Sequence, residues 1–285
     1  MKKKIISLVL IGALAVTFAV PTMGFAAIVG NTGDVKTLRG RGAFSLRETR
    51  EISVESSFDM NVTLNRDLTA GDVTNLRLET GEWGMFRLGY RIRDRVEPYI
   101  RLGWAHLKAG WTDIESGKNA EITTRSGFAW GLGMKALIYE FANSNIRIVG
   151  DGSYRTADLD VEKGYFNGAK NAISKINSRF VIREWQAALL VVDDIDFSAM
   201  PDCEEALGPY RFSPYGGITY SEVNGRIRLV SVAPDTVYHP DEIKSRRNVG
   251  IVFGCDLVVQ DYISLNTEVR LIDETSVSGG LAVLF

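Results

Sequence analysis

The chain has 285 residues, 45% hydrophobic and 24% charged, with 28 Gly, 7 Pro and 2 Cys. That composition excludes a disordered polypeptide and a disulfide-dense scaffold. Basic and acidic residues number 33 and 35, a formal charge of -2, so nothing global favours nucleic acid as a partner.

The N-terminus reads as an export signal. Lys2, Lys3 and Lys4 precede an uncharged run from Ile5 to Val20, and Gly24-Phe25-Ala26 places small residues at -3 and -1. Cleavage is expected after Ala26, which makes 1–26 a signal peptide. The run is shorter than the ~20 residues a membrane helix needs. Residues 27–50 carry Arg39, Arg41, Arg47 and Arg50 with little alternation, and read as a periplasmic lead-in or an inserted plug. No later run approaches the length of a membrane helix. The mature chain is therefore soluble outside the cytoplasm or crosses a membrane as strands.

From residue 51 the pattern has a period of two. In 51–65, Ile52, Val54, Phe58, Met60, Val62 and Leu64 share one parity, against Glu55, Asp59, Asn61 and Thr63 on the other. Alternate side chains of a strand point to opposite faces, so this is one long two-faced strand. Nine further segments come after it: 83–93, 96–106, 126–136, 146–156, 180–191, 213–221, 248–259, 262–272 and 276–285. The count is ten, with eight or twelve as alternatives. Connections alternate too. Long loops are expected at about 66–82, 107–125, 157–179 and 222–247, and tight turns at 94–95 and 260–261. Two connections break the rule: 193–210 is long where a turn is due, and 273–275 is short where a loop is due.

The C-terminus Ser278-Gly279-Gly280-Leu281-Ala282-Val283-Leu284-Phe285 carries a further pattern. Ser278, Gly280, Val283 and Phe285 fill the places of the terminal β-signal of outer-membrane proteins. With the alternating strands and the Gly-aromatic stretch Gly127-Phe128-Ala129-Trp130-Gly131, the chain resembles small bacterial outer-membrane β-barrels of the OmpA, OmpX and opacity-protein type, and more loosely porins. The resemblance is architectural and brings no functional motif. It implies an all-β, closed antiparallel transmembrane β-barrel over 51–285, in the outer membrane of a Gram-negative cell. Outer-membrane lipid, lipopolysaccharide and, during biogenesis, the barrel-assembly machinery are the partners it implies.

If the apolar parity faces lipid, the polar parity faces the lumen. The charged lumen set is then Glu55, Asp59, Arg87, Arg91, Glu97, Arg101, Lys135, Arg147, Asp151, Arg155, Glu184, Asp256, Glu268 and Arg270. Both signs are present in equal number, which suits a salt-bridged interior rather than a wide channel of one sign. Ten strands lie near the size at which side chains fill a barrel. A surface or structural role with at most a narrow pore is expected. A passive porin for small solutes is the alternative, and a secreted soluble barrel holding an apolar ligand the second.

Aromatics at strand ends, Trp83, Tyr90, Trp104, Trp130, Tyr154, Trp185, Tyr220 and Tyr262, are expected in interfacial girdles. No enzyme, cofactor or metal is expected. His106, Asp113, Asp235, His239 and Asp241 are the residues a catalytic reading would need, and spacing fixes no geometry among them. Asp193, Asp194 and Asp196, with Asp202, Glu204 and Glu205, read as a solvated charge run. Cys203 and Cys255 would meet an oxidising compartment, and the sequence leaves their pairing open.

Overall fold

A computed structural model describes residues 52–284 except 72, 93–94, 116, 142–143, 167–168, 172–177, 197–209, 230–239, 241 and 260–262. The signal-peptide and lead-in segments, Cys203, Asp235, His239, Asp241, Tyr262 and Phe285 lie outside the described residues.

The described residues form fourteen strands: β1 (Ile52–Thr69), β2 (Val73–Ile92), β3 (Val96–Asp113), β4 (Asn119–Thr124), β5 (Gly127–Glu140), β6 (Ile146–Phe166), β7 (Ala169–Asn171), β8 (Arg179–Asp193), β9 (Ile195–Asp196), β10 (Tyr210–Arg228), β11 (Ile243–Ser245), β12 (Val249–Val259), β13 (Ile263–Leu271) and β14 (Thr275–Leu284). All pairings are antiparallel. Ten strands make a ring, β1-β2-β3-β5-β6-β8-β10-β12-β13-β14, and β14 pairs with β1 from Glu55↔Leu284 to Asn65↔Thr275. The ten expected strands are these ten.

The ring is much taller on one side. β6 runs 21 residues and β2 runs 20, whereas β12, β13 and β14 run 11, 9 and 10. Above the short strands the ladder continues through other partners. β3 pairs with β4, β4 with β6, and β11 bridges β10 to β1 through Asn224↔Lys244 and Thr69↔Lys244. The upper ends of β1, β2, β3, β6, β8 and β10, together with β4 and β11, thus make a second ring of eight. The molecule has two storeys. The segments expected as long loops contain much of the upper storey, because the strands do not stop where their apolar outer face stops.

Outer and inner chemistry reverse between the storeys. In the lower storey the outer wall carries Phe86, Leu88, Ile100, Leu102, Phe128, Leu132, Met134, Leu189, Val191, Ile218, Phe253 and Leu265, all exposed. Its inner face carries mostly charged, hydroxyl and amide side chains, beside a buried apolar patch of Leu137, Val149, Leu190, Val192 and Val252. Phe128 and Ile138 mark the ends of the apolar outer set on β5. Ten residue steps are about 33 Å along a strand, or about 25 Å of height at the usual tilt, which is the height of a barrel's lipid-facing band. In the upper storey the outer wall carries Arg77, Arg179, Arg183, Arg226, Arg228, Asp158 and Asp160. The interior is apolar and receives side chains from all eight strands, among them Leu68, Leu78, Leu107, Ile122, Leu159, Phe180, Ile227 and Ile243.

On β1 and β2 the reversal coincides with a break in parity. Leu64 and Asn65 are both exposed, so Arg66 and Leu68 turn inward on the even parity, opposite to Glu55 through Thr63. The β1–β14 ladder shifts register between Thr63 and Asn65. A bulge of this kind bends the strand and re-aims the side chains beyond it.

Candidate functional site

The lumen of the lower storey is the place where charged side chains converge. The small inward residues of β5, Ala129, Gly131 and Gly133, leave space that large neighbours fill. Tyr99 lies over Gly133 and Tyr215 over Gly254, each glycine being the register partner of its tyrosine on the next strand. A side chain at either glycine would occupy the ring's place.

All fourteen charged residues read from parity as lumen-facing are buried in the structure. They fall into connected groups. Near the lower end Glu55 takes Arg91 at 2.6 Å and Arg87 at 3.4 Å, and Glu97 takes Arg91 at 3.2 Å and pairs with Arg87. Above them Tyr99 donates to Asp151 at 2.8 Å, with the Arg87 and Arg101 guanidiniums 4.4 and 4.7 Å from its ring centroid. Arg101 reaches Asp59 at 4.0 Å, and Lys135 is register partner to Asp151. On the short wall Tyr215 donates to Glu268 at 3.0 Å, Arg270 donates to Glu268 at 2.9 Å, and Asn266 donates to Asp256. Arg147 pairs with Asp194 at 3.0 Å, and Ser213 donates to the same carboxylate at 2.5 Å.

The junction between storeys holds the densest group. Glu184 accepts from Arg66 at 2.5 Å and Gln186 at 3.0 Å, and pairs with Arg155. Arg66 also reaches Glu274 at 3.1 Å and donates to Ser221. Glu274 takes Arg270 at 3.4 Å and Ser276 at 3.0 Å. Arg155 lies 4.3 Å over the ring of Trp83, which is 1% exposed. Immediately above begin Leu78, Ile182 and Val223. The void bounded by these groups is about 10 Å³, about the size that holds one water. Packed side chains leave little space at this point between the storeys.

Several functional side chains escaped the sequence pattern. Arg66 and Glu274 fall in segments expected as loops. Glu274 sits in the short 272–274 turn, which does not project outward. Ile272, at φ 89°, turns the chain so that Asp273 and Glu274 enter the barrel. Positive φ is costly for a β-branched residue, so the surrounding pairs must hold the turn. Asp194 is not solvated, because the carboxylate is needed against buried Arg147. Trp83 is not a girdle residue, because its parity points inward at the junction. Trp130, Tyr154 and Trp185 do form an outer row, with centroids 5.7 and 4.7 Å apart.

His106 faces outward and half-buried, while Asp113 is buried at the far end of the same strand. Seven residues are about 23 Å of strand, so the two do not meet. Among the described residues no group of His, Cys, Asp and Glu has metal-binding geometry. Cys255 is a free thiol whose Sγ lies 3.4 Å from Thr267 Oγ1. Above the apolar band Lys108 bridges Glu79 at 2.9 Å and Glu121 at 3.1 Å. The hydrogen bond to Glu79 holds its ammonium above the ordinary lysine range, with Glu121 adding to it.

No family model matches the chain, and no curated protein matches it in sequence. Solved structures do match in fold. The outer membrane protein OprG from Pseudomonas aeruginosa aligns at TM-score 0.38 and 10% identity over 84% of this chain and 97% of that one. The translocator domain of the autotransporter NalP from Neisseria meningitidis aligns at 0.38 and 8% over 82% and 88%. The outer membrane protein AlkL aligns at 0.31 and 10% over 87% and 97%. The chain resembles outer-membrane β-barrels.

Proposed function

We propose that this chain is an integral outer-membrane protein that acts as a sealed, non-catalytic scaffold, presenting its upper storey outside the cell. The observation that carries the reading is the exchange of chemistry between storeys. A wall that is apolar outside for about 25 Å fits hydrocarbon, and a wall that is charged outside around a dry core fits water. β1 and β14 begin and end at the lower rim, which supports reading that rim as the periplasmic side. The β14 residues Ser278, Gly280 and Val283 pair with β1 and β13. That seam is where the assembly machinery would close the barrel.

The scaffold reading over a porin rests on two successive seals, the Arg66–Glu184–Glu274 group and the apolar core above it. Fractionation and planar-bilayer recording test it. The protein should partition with the outer membrane, need detergent for solubility, and give no stepwise conductance. Reproducible single-channel steps would establish the porin instead. Solubility without detergent would remove both readings and favour a soluble barrel.

A further inference from the structure

The outer wall of the upper storey is electrically lopsided. Among the described residues of β8, β10 and the stretch through β11, the exposed basic residues Arg183, Arg226, Arg228, Lys244, Arg246 and Arg247 stand against the carboxylates of Glu222 and Glu242. On β2, β4 and β6 the balance tilts the other way, with Glu79, Glu82, Glu121, Asp158 and Asp160 against Arg77 and Lys163.

The basic side has an open groove of about 660 Å³, lined by Arg183, Asn224, Arg226 and Lys244, with the carboxylate of Glu242 among them. Register explains the convergence. Arg183 is opposite Asn224, and Asn224 is opposite Lys244, so the three lie in one row across three strands. Neighbours in such a row stand about 5 Å apart at Cβ. Arg226 lies one step higher, opposite Val181. Among the described residues neither Arg183 nor Arg226 has a side-chain ion pair, and Lys244 has only the exposed Glu242 at 3.8 Å.

The height of this row matters most. One step below it lies Trp185, opposite Tyr154 on β6, in the aromatic row that tops the apolar band. Beside it, Arg246 and Arg247 lie three and two residues before Val249, the exposed first residue of β12. Along the strand Arg183 therefore stands about 7 Å above Trp185 and Arg226 one step higher, where headgroups lie.

We propose that this groove binds the phosphate of an acidic lipid headgroup in the outer leaflet. Two guanidiniums and an ammonium supply charge-assisted donors to phosphate oxygens, with the Asn224 amide beside them. Trp185 packs against the acyl chains beneath. The proposal rests on the chain being a membrane protein.

The test is native mass spectrometry of the full chain in octyl glucoside, titrated with lipid A and with a phosphate-free analogue. Wild type should retain lipid A and not the analogue. R183A/R226A should weaken retention by about tenfold or more, whereas R179A, which removes a cation already paired with Asp158, should not. Heat-modifiable migration of each variant checks that the barrel has formed. Equal retention by the double variant, or equal retention of the phosphate-free analogue, overturns the proposal. If inorganic phosphate binds as tightly as lipid A, the site is for free phosphate and the lipid assignment falls. A chain soluble without detergent would instead sink the membrane reading itself.

Discussion

On β8, Ile182 and Glu184 face the interior two residues apart. One belongs to a dry core of eight strands, the other to a buried ion-paired group. On the outer side of the same strand Arg183 and Trp185 make the opposite exchange. The backbone does not change there, since both positions sit in one unbroken ladder with β6 and β10. What changes is the solvent each face meets. A single strand thus serves two environments in succession, and the boundary is set to within one residue pair, about 7 Å.

Removing Glu184 should have the largest effect of any single substitution. It would take the shared carboxylate from Arg66 and Arg155 in a site where neither is more than 5% exposed. Breaking such a buried pair costs about 3–5 kcal/mol. E184A should lower the urea midpoint of the folded band in a detergent gel shift accordingly. E184A destabilised by less than about 1 kcal/mol would mean the junction group is not a structural seal. F180A, in the upper core, belongs in the same range, about 3–5 kcal/mol from lost burial and the cavity left behind.

A charge placed on the outer wall sharpens the boundary. L132R and L189R should each cost about 2–4 kcal/mol in bilayers, since arginine at the band's middle must leave water. V181R, two steps above Trp185, should fall within about 0.5 kcal/mol of wild type. Equal costs at 132 and 181 would erase the distinction between the storeys. In detergent-free vesicles the profile along β8 should switch between residues 185 and 181.

The lower storey was legible in the sequence and the upper storey was not. Phe86, Leu88, Tyr90 and Ile92 alternate cleanly with inward Arg87 and Arg91, and period two is all that a one-sided strand offers. The fourteen charged residues that parity assigns to the lumen are all buried, because a charge on the alternate face of an apolar wall has only the interior left. Beyond Leu64 that logic fails twice. The bulge puts Leu64 and Asn65 on the same side, and the outer face then becomes polar, so Arg66–Glu82 looks like a loop. β4, β7 and β11 are 6, 3 and 3 residues long, too short to carry a period. Glu274 was hidden for another reason. Nothing in Ile272-Asp273-Glu274 says that a tight turn folds inward; only the buried Arg66 and Arg270 it meets decide that. Asp194 was misread because an acidic run gives no sign of which member faces a partner.

The smallest effect is expected where the same chemistry stands in water. Arg179 and Asp158 form an ion pair at 2.9 Å on the upper outer wall, with side chains 57% and 50% exposed. Arg66 and Glu184 form one at 2.5 Å with side chains 2% and 1% exposed. Pair for pair, the Coulomb attraction is similar in distance and differs in screening. A double-mutant cycle on Arg179 and Asp158 should give a coupling of at most about 1 kcal/mol, falling as salt is raised. The equivalent cycle on Arg66 and Glu184 should give several times more and respond little to salt, because no bulk water reaches it. If the two couplings proved equal and equally salt-sensitive, water would have to reach the junction. The seal on which the scaffold reading depends would then be open.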